Sequence, residues 1–231
     1  MMKPFTAVYL CFFLLISSLS VPGIGSEVHN HISSVSYPHQ TIRNSLTDAV
    51  VVSDSDPYFS LISTSVACWY DNETNTTGLL PLLVHHEGSL TDSQTRFFEK
   101  YLGSIDRSLL ILGDHVQTSY QTFEILGSPA AVSIILATSV FSVAPVVLII
   151  PYEGSEAYQL SLLAAPLGSY LIIPILIFDN NEVEIQTVCT QLQTTRAYLV
   201  GDVTLNLENM SVIPLQTEAE ITDTVLTVIK E

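Results

Sequence analysis

The sequence predicts an α/β fold, a parallel sheet with helices on both faces that is formed by an internal duplication. Three observations carry that expectation. Short aliphatic runs alternate along the chain with longer helix-like stretches, as they do in βαβ units. The runs are continuous in Val, Ile and Leu rather than alternating with polar residues, which suits strands buried on both faces. One series of motifs also occurs twice in the same order, and a repeat constrains an architecture more than any single segment does.

The elements follow in order. Ala49–Val52 is a strand of β-branched residues. Asp56-Pro57 precedes the apolar stretch Tyr58–Tyr70, and a proline at the start of a helix loses no intrahelical bond, so a helix is predicted there. Leu80–Val84 is the second strand; Pro81 at its start can do without a ladder donor. Thr91-Asp-Ser-Gln94 has capping-box character and starts a helix over Asp92–Leu102. The strand Leu109–Leu112 ends at Gly113, and Ser128-Pro129 caps a helix over Pro129–Phe141. Then come strand Val146–Ile150, helix Glu156–Tyr170, strand Ile172–Phe178, helix Glu182–Gln193, strands Ala197–Val200 and Ser211–Ile213, and helix Glu218–Lys230. Ile125–Tyr152 and Ala157–Phe178 carry no charge and have the length of membrane spans. Prolines 145, 151, 166 and 174 interrupt them, and no Lys or Arg between Arg107 and Arg196 anchors a span, so they are read as helix-then-strand in a buried core.

The duplication is read from five correspondences. Ala49-Val-Val-Val52 matches Val147-Leu-Ile-Ile150, and Asp56-Pro-Tyr58 with its helix matches Glu156-Ala-Tyr158 with its helix. Pro81-Leu-Leu-Val84 matches Pro174-Ile-Leu-Ile177, a polar helix follows in each copy, and Leu110-Ile-Leu-Gly-Asp114 matches Tyr198-Leu-Val-Gly-Asp202. This order resembles the type-two cell wall-binding repeat of bacterial and archaeal surface proteins. The better copy is Ile125 to Asp202, with Ser155-Glu-Ala-Tyr158, Leu163-Ala-Ala-Pro-Leu167 and Pro174-Ile-Leu-Ile177. The copy from Ala49 to Asp114 has Thr64-Ser-Val66 in place of Ala-Ala-Pro and an insertion before Pro81. The resemblance implies a three-layer Rossmann-like or Toprim-like α/β fold, export, and non-covalent attachment to an envelope polymer or surface protein. The domain expectation is a signal over residues 1–25, a polar leader over 26–45, a first divergent repeat over 46–115, and a second repeat over 116–231 with a partial third element after Ser211.

Composition narrows the function. Of 231 residues, 23 are acidic and 7 basic, for a formal charge of -16, while 48% are apolar. A nucleic-acid partner is excluded, because a phosphate-backbone binder needs Lys and Arg in excess. Disorder is excluded by the apolar content. Lys3, the uncharged run Phe5–Leu19 and the small residues Gly23 and Gly25 form a secretory signal, so the chain is expected at the cell envelope or outside the cell, meeting a membrane only through that signal if it is uncleaved. Loss of Lys3 would make the processed chain more acidic still, which counts against the anionic polymers that wall-binding repeats usually hold. Beyond the signal, Cys68 and Cys189 could form one disulfide in an oxidising compartment or remain buried thiols. Asn72, Asn75 and Asn209 head glycosylation sequons.

Ligands of an open parallel sheet sit beyond the carboxyl ends of its strands. The residues expected there are Asp54, His85, His86, Glu87, Asp114, His115, Glu153, Asp179, Asn180 and Asp202, a rim of carboxylates and imidazoles. Its natural counter-ion is Ca²⁺ for the carboxylate and amide set, or Zn²⁺ for His85, His86 and Asp114. Polar strand-to-helix loops also occur simply as capped, exposed turns, and no resident cofactor is expected. No Gly-x-Gly-x-x-Gly, Walker loop, nucleophile elbow, His-Glu-x-x-His or Cys-x-x-Cys is present, so catalysis is not expected. The leading expectation is a non-catalytic surface protein that can self-associate. The alternatives are an extracytoplasmic solute-binding or sensory domain, and a metal-dependent hydrolase working through His85, His86 and Asp114.

Overall fold

Val50, Val51 and Val52 have no solvent-exposed surface, as expected of a central strand with β-branched residues on both faces. They lie in β1 (Ala49–Ser53), the first element of a computed structural model that describes residues 47–71, 76–103, 107–154 and 156–230. The first half continues with α1 (Tyr58–Ala67), the hairpin β2 (Cys68–Asp71) and β3 (Thr76–Leu79), β4 (Leu82–His85), and α2 (Asp92–Phe97), which runs into a π-helical turn over Phe98–Leu102. It ends with β5 (Ser108–Gly113), β6 (Gln121–Leu126) and α3 (Pro129–Val140). The second half contains β7 (Val146–Pro151), α4 (Ala157–Tyr170), β8 (Ile175–Phe178), α5 (Glu182–Gln191), β9 (Arg196–Val200), β10 (Ser211–Leu215) and α6 (Glu218–Lys230).

The α/β class and parallel pairing are as the sequence predicts, but the strands form two sheets rather than one. Both are four-stranded and wholly parallel, in the orders β4-β1-β5-β6 and β8-β7-β9-β10. The strand order is the same in each half, and so is the register. Val50 pairs with Leu82 and Leu110, and their counterparts pair identically, Leu148 with Ile175 and Tyr198. The flanking bonds repeat as well. The Val50 amide donates to the Pro81 carbonyl as that of Leu148 donates to Pro174, and Asp54 donates to His85 as Tyr152 donates to Phe178.

The first sheet includes β6, so the structural unit passes the boundary expected at residue 115 and ends with α3. The elements after Ser211, read as a partial third copy, are β10 and α6, the second half's counterparts of β6 and α3. Two expected helices are shorter in the structure. Tyr58–Tyr70 stops at Ala67, where Cys68 turns extended (φ -141°, ψ 127°) into the hairpin, and the α-helical part of Asp92–Leu102 stops at Phe97.

Right-handed crossovers from β1 to β4 and from β4 to β5 run in opposite directions, which places α1 and the α2 segment on opposite faces of the first sheet. Burial agrees. Val50, Val52, Leu110 and Leu112 join the large core under α1, whereas Ala49, Val51, Leu109 and Ile111 pack with Phe98 of the π turn. The halves meet where α1 packs along α4. Gly168 lets α4 lie close on β8, because a Cβ there would stand 2.8 Å from Ile175 Cδ1, whereas Ser65 Cβ of α1 would be at an ordinary 3.5 Å.

An unpaired sheet edge is a template for another strand, and three of the four outer edges here are guarded. On β8, the outward Ile177 amide donates to Ser133 Oγ at 3.0 Å and its carbonyl accepts from Asn181 Nδ2 at 3.2 Å. On β4, the outward Val84 carbonyl accepts from Gln94 Nε2 at 2.6 Å. On β10, an outward position is Pro214, which has no amide hydrogen. Edge β6 has no such guard among the described residues.

Cys68 and Cys189 form no disulfide with each other, and burial pushes the Cys189 thiol up to about 11. No helix among the described residues is long and apolar enough to cross a membrane. The expected signal, the leader and the sequons at Asn72 and Asn75 lie outside the described residues, and Asn209 occupies an exposed turn with φ 61°.

Candidate functional site: the carboxyl ends of the two sheets

The order β4-β1-β5 brings together the ends of three strands distant in sequence, and with them Asp54, His85, His86, Glu87 and Asp114. The chain leaves β1 and β4 toward opposite faces, so their tips flank a topological switch point. Asp114 Oδ2 accepts from Ser53 Oγ at 2.6 Å and from Ser55 Oγ at 2.7 Å. These two hydroxyls hold its carboxyl below the usual carboxylate range. Gly113 makes the approach of Ser53 feasible; its φ is +101°, and a Cβ there would lie 2.9 Å from Ser53 Cβ and 2.8 Å from the Phe59 ring.

The two histidines differ. His86 is exposed, and its Nδ1 meets Asp54 Oδ2; that hydrogen bond and the carboxylate charge raise its pKa. His85 is 1% exposed, and burial drives its pKa below the ordinary value despite the nearby carboxylates of Asp114 and Asp54. Its Nδ1 accepts from the Gly88 amide at 3.2 Å, which places the proton of the neutral ring on Nε2, a buried atom without a partner among the described residues. The same contact holds the turn over His86–Ser89, whose Glu87 and Gly88 both have positive φ, and the Gly88 carbonyl accepts from the Gln117 amide.

The other expected rim residues stand apart from this cluster. His115 turns away to Glu124, Nδ1 to Oε2 at 2.9 Å. Glu153, Asp179, Asn180 and Asp202 belong to the second sheet's tips, where Asp202 has no hydrogen bond among the described residues. The expected Ca²⁺ or Zn²⁺ set does not form: among the described residues no group of three or more His, Cys, Asp or Glu side chains is placed to hold a metal ion. His86 is engaged by Asp54, and His85 is buried against its own turn. Nor do Ser53 and His85 form a nucleophile-base pair, because the Ser53 hydroxyl donates to Asp114 and accepts from the Ser55 amide.

Sequence reasoning missed the seam between the two tips. Tyr58 OH donates to the Pro151 carbonyl at 2.9 Å, and Tyr152 OH donates to Asp56 Oδ2 at 2.6 Å. The Tyr58 ring lies 5.1 Å from that of Tyr152 and 5.4 Å from that of Tyr158, its counterpart in the duplication. Burial pushes the Tyr58 hydroxyl up to about 12, so it acts as a neutral donor. The repeated acidic-x-Tyr motif was the available signal, although it could not show that the two copies touch. Comparison with protein-family models, with curated proteins and with solved structures finds no match to this chain.

Proposed function

We propose that this chain is an exported, non-catalytic protein of the cell envelope that binds a surface polymer or surface protein through two wall-binding-like repeats. The observation that carries the proposal is the duplication in register, in which two sheets share strand order, pairing and flanking bonds. Two copies of one scaffold, with different residues at their tips, present two linked surfaces, which suits an extended ligand, and linked sites raise avidity without new contacts. The tip chemistry supports the non-catalytic part of the reading, since the Ser53 hydroxyl donates to Asp114 and His85 Nδ1 accepts from the Gly88 amide, which leaves no hydroxyl-imidazole pair. A formal charge of -16 favours a neutral or cationic ligand over a polyanion.

The test is retention on isolated cell envelopes, compared with a control protein of similar size and acidity. Retention above the control that persists as salt is raised is expected for a ligand held by hydrogen bonds and packing. Retention equal to the control would sink the proposal.

A further inference from the structure

We infer that the outer edge of β6 is a strand-addition surface that pairs antiparallel with the same edge of a second copy of this chain. The Gly127 amide donates to the Gly113 carbonyl, and the register pairs Gly113 with Leu126. By the alternation of a ladder, Thr122, Glu124 and Leu126 therefore turn their amides and carbonyls outward. None of these groups is hydrogen-bonded among the described residues, whereas β4, β8 and β10 each carry a guard. The counterpart of Glu124 in the second repeat is Pro214, the guard of β10. β6 also lacks Lys and Pro, the residues that usually blunt an edge.

A second copy fits this edge better than a saccharide or a basic peptide does. A saccharide cannot offer alternating amides and carbonyls. A basic peptide would need a free carboxylate, but the only charged residue of the strand is Glu124, whose Oε2 pairs with His115 and whose Oε1 is buried. The strand is self-complementary. A two-fold axis at Phe123 sets Thr122 opposite Glu124 twice in hydrogen-bonded pairs and brings the two Phe123 rings together, without placing Glu124 opposite itself. Phe123 and Leu126 are each 44% exposed and would be covered. Net charge opposes the meeting of two copies, so the association strengthens with salt, the reverse of a contact between opposite charges.

The test is sedimentation of the protein as processed by its own cell, over a concentration series at low and high salt. A monomer-dimer equilibrium shifted toward dimer by salt is expected. Glu124→Pro, which transplants the second repeat's guard, and Phe123→Lys, which sets like charges opposite each other, should both give monomers. Phe123→Lys mixed with Phe123→Glu should restore a dimer, which shows that each variant is folded. A monomer at every concentration and salt, a dimer that weakens with salt, or a dimer that survives Phe123→Lys would overturn the inference. A monomer that still binds envelopes overturns this inference alone and leaves the proposed function standing.

Discussion

At the tip of the first sheet, Ser53, His85 and Asp114 stand where the second sheet has Pro151, Phe178 and Asp202, on strands of identical order and register. The first tip is held by polar bonds: two hydroxyls on a carboxylate and an imidazole on a backbone amide. In the second, Pro151 is buried, Phe178 packs against the large core, and Asp202 is left exposed. The backbone tolerates either solution because a parallel ladder is satisfied by main-chain bonds, leaving the residues at its end free to differ. A duplicated fold thus does not imply a duplicated site.

The glycines that end β5 and β9 give the sharpest way to break this comparison. Gly113→Ala would strain a φ of +101° and drive a Cβ to within 2.9 Å of Ser53 and 2.8 Å of Phe59. The expected loss is about 3 kcal/mol, combining the left-handed penalty with overpacking. Gly201→Ala meets Pro151 Cγ at 3.3 Å and Leu160 Cδ1 at an ordinary 3.9 Å, so it should cost roughly 1–2 kcal/mol, mostly backbone strain. Denaturant unfolding of the two variants measures the difference, and equal losses would mean that the tips are packed alike.

Removing charge sharpens the contrast further. Asp114→Asn exchanges two charge-assisted bonds for neutral ones and should cost about 1 kcal/mol, a value discounted for exposure. Asp202→Asn should leave the unfolding midpoint unchanged. Tyr58→Phe tests the seam between the tips; loss of the bond to Pro151 should cost about 1 kcal/mol while the ring packing remains. A midpoint unchanged by Tyr58→Phe would mean that helix packing and the remaining bonds between the halves hold them without help from this contact.

The smallest effect is in the pH profile, and only the first tip should show it. Burial lowers the pKa of His85 from its ordinary 6.5, so on acidification the unfolded chain takes up this proton before the folded one does. The contribution of His85 to stability is thus complete above 6.5 and is lost as pH falls toward and through its folded value. His86 behaves oppositely: raised by Asp54, it stabilises below 6.5 and stops doing so as pH rises through its folded value. Thermal melts across this range should lose the acid-side slope in His85→Phe, which copies the second repeat, and the alkaline-side slope in His86→Ala.

Much of the fold was legible because it rests on local patterns. The aliphatic runs marked seven of the ten strands described, and the capping box at Thr91 and the Ser128 cap start helices where expected. β6 was missed because Gln121–Leu126 is an edge strand with polar residues at Gln121, Thr122 and Glu124, so it lacks the aliphatic run of a strand buried on both faces. The hairpin was missed because the apolar helix pattern continues to Tyr70, while tertiary pairing of Cys68 with Leu79 ends the helix sooner. The rim residues could be named from sequence, yet which of them would meet could not. Asp54, His85 and Asp114 are neighbours only because β1 lies between β4 and β5.

By itself the sequence determined the α/β class and the placing of apolar residues on strands and of acidity on loops and helix surfaces, which follow from periodicity and burial within a short window, and it determined the duplication through motifs repeated in one order. Only the tertiary structure decided that the strands part into two sheets, that the matching tyrosines Tyr58 and Tyr158 meet at the seam, and that one outer edge is left open among the described residues. Those outcomes depend on which distant backbone groups satisfy one another, and long-range hydrogen bonding of that kind leaves no local signature in the chain.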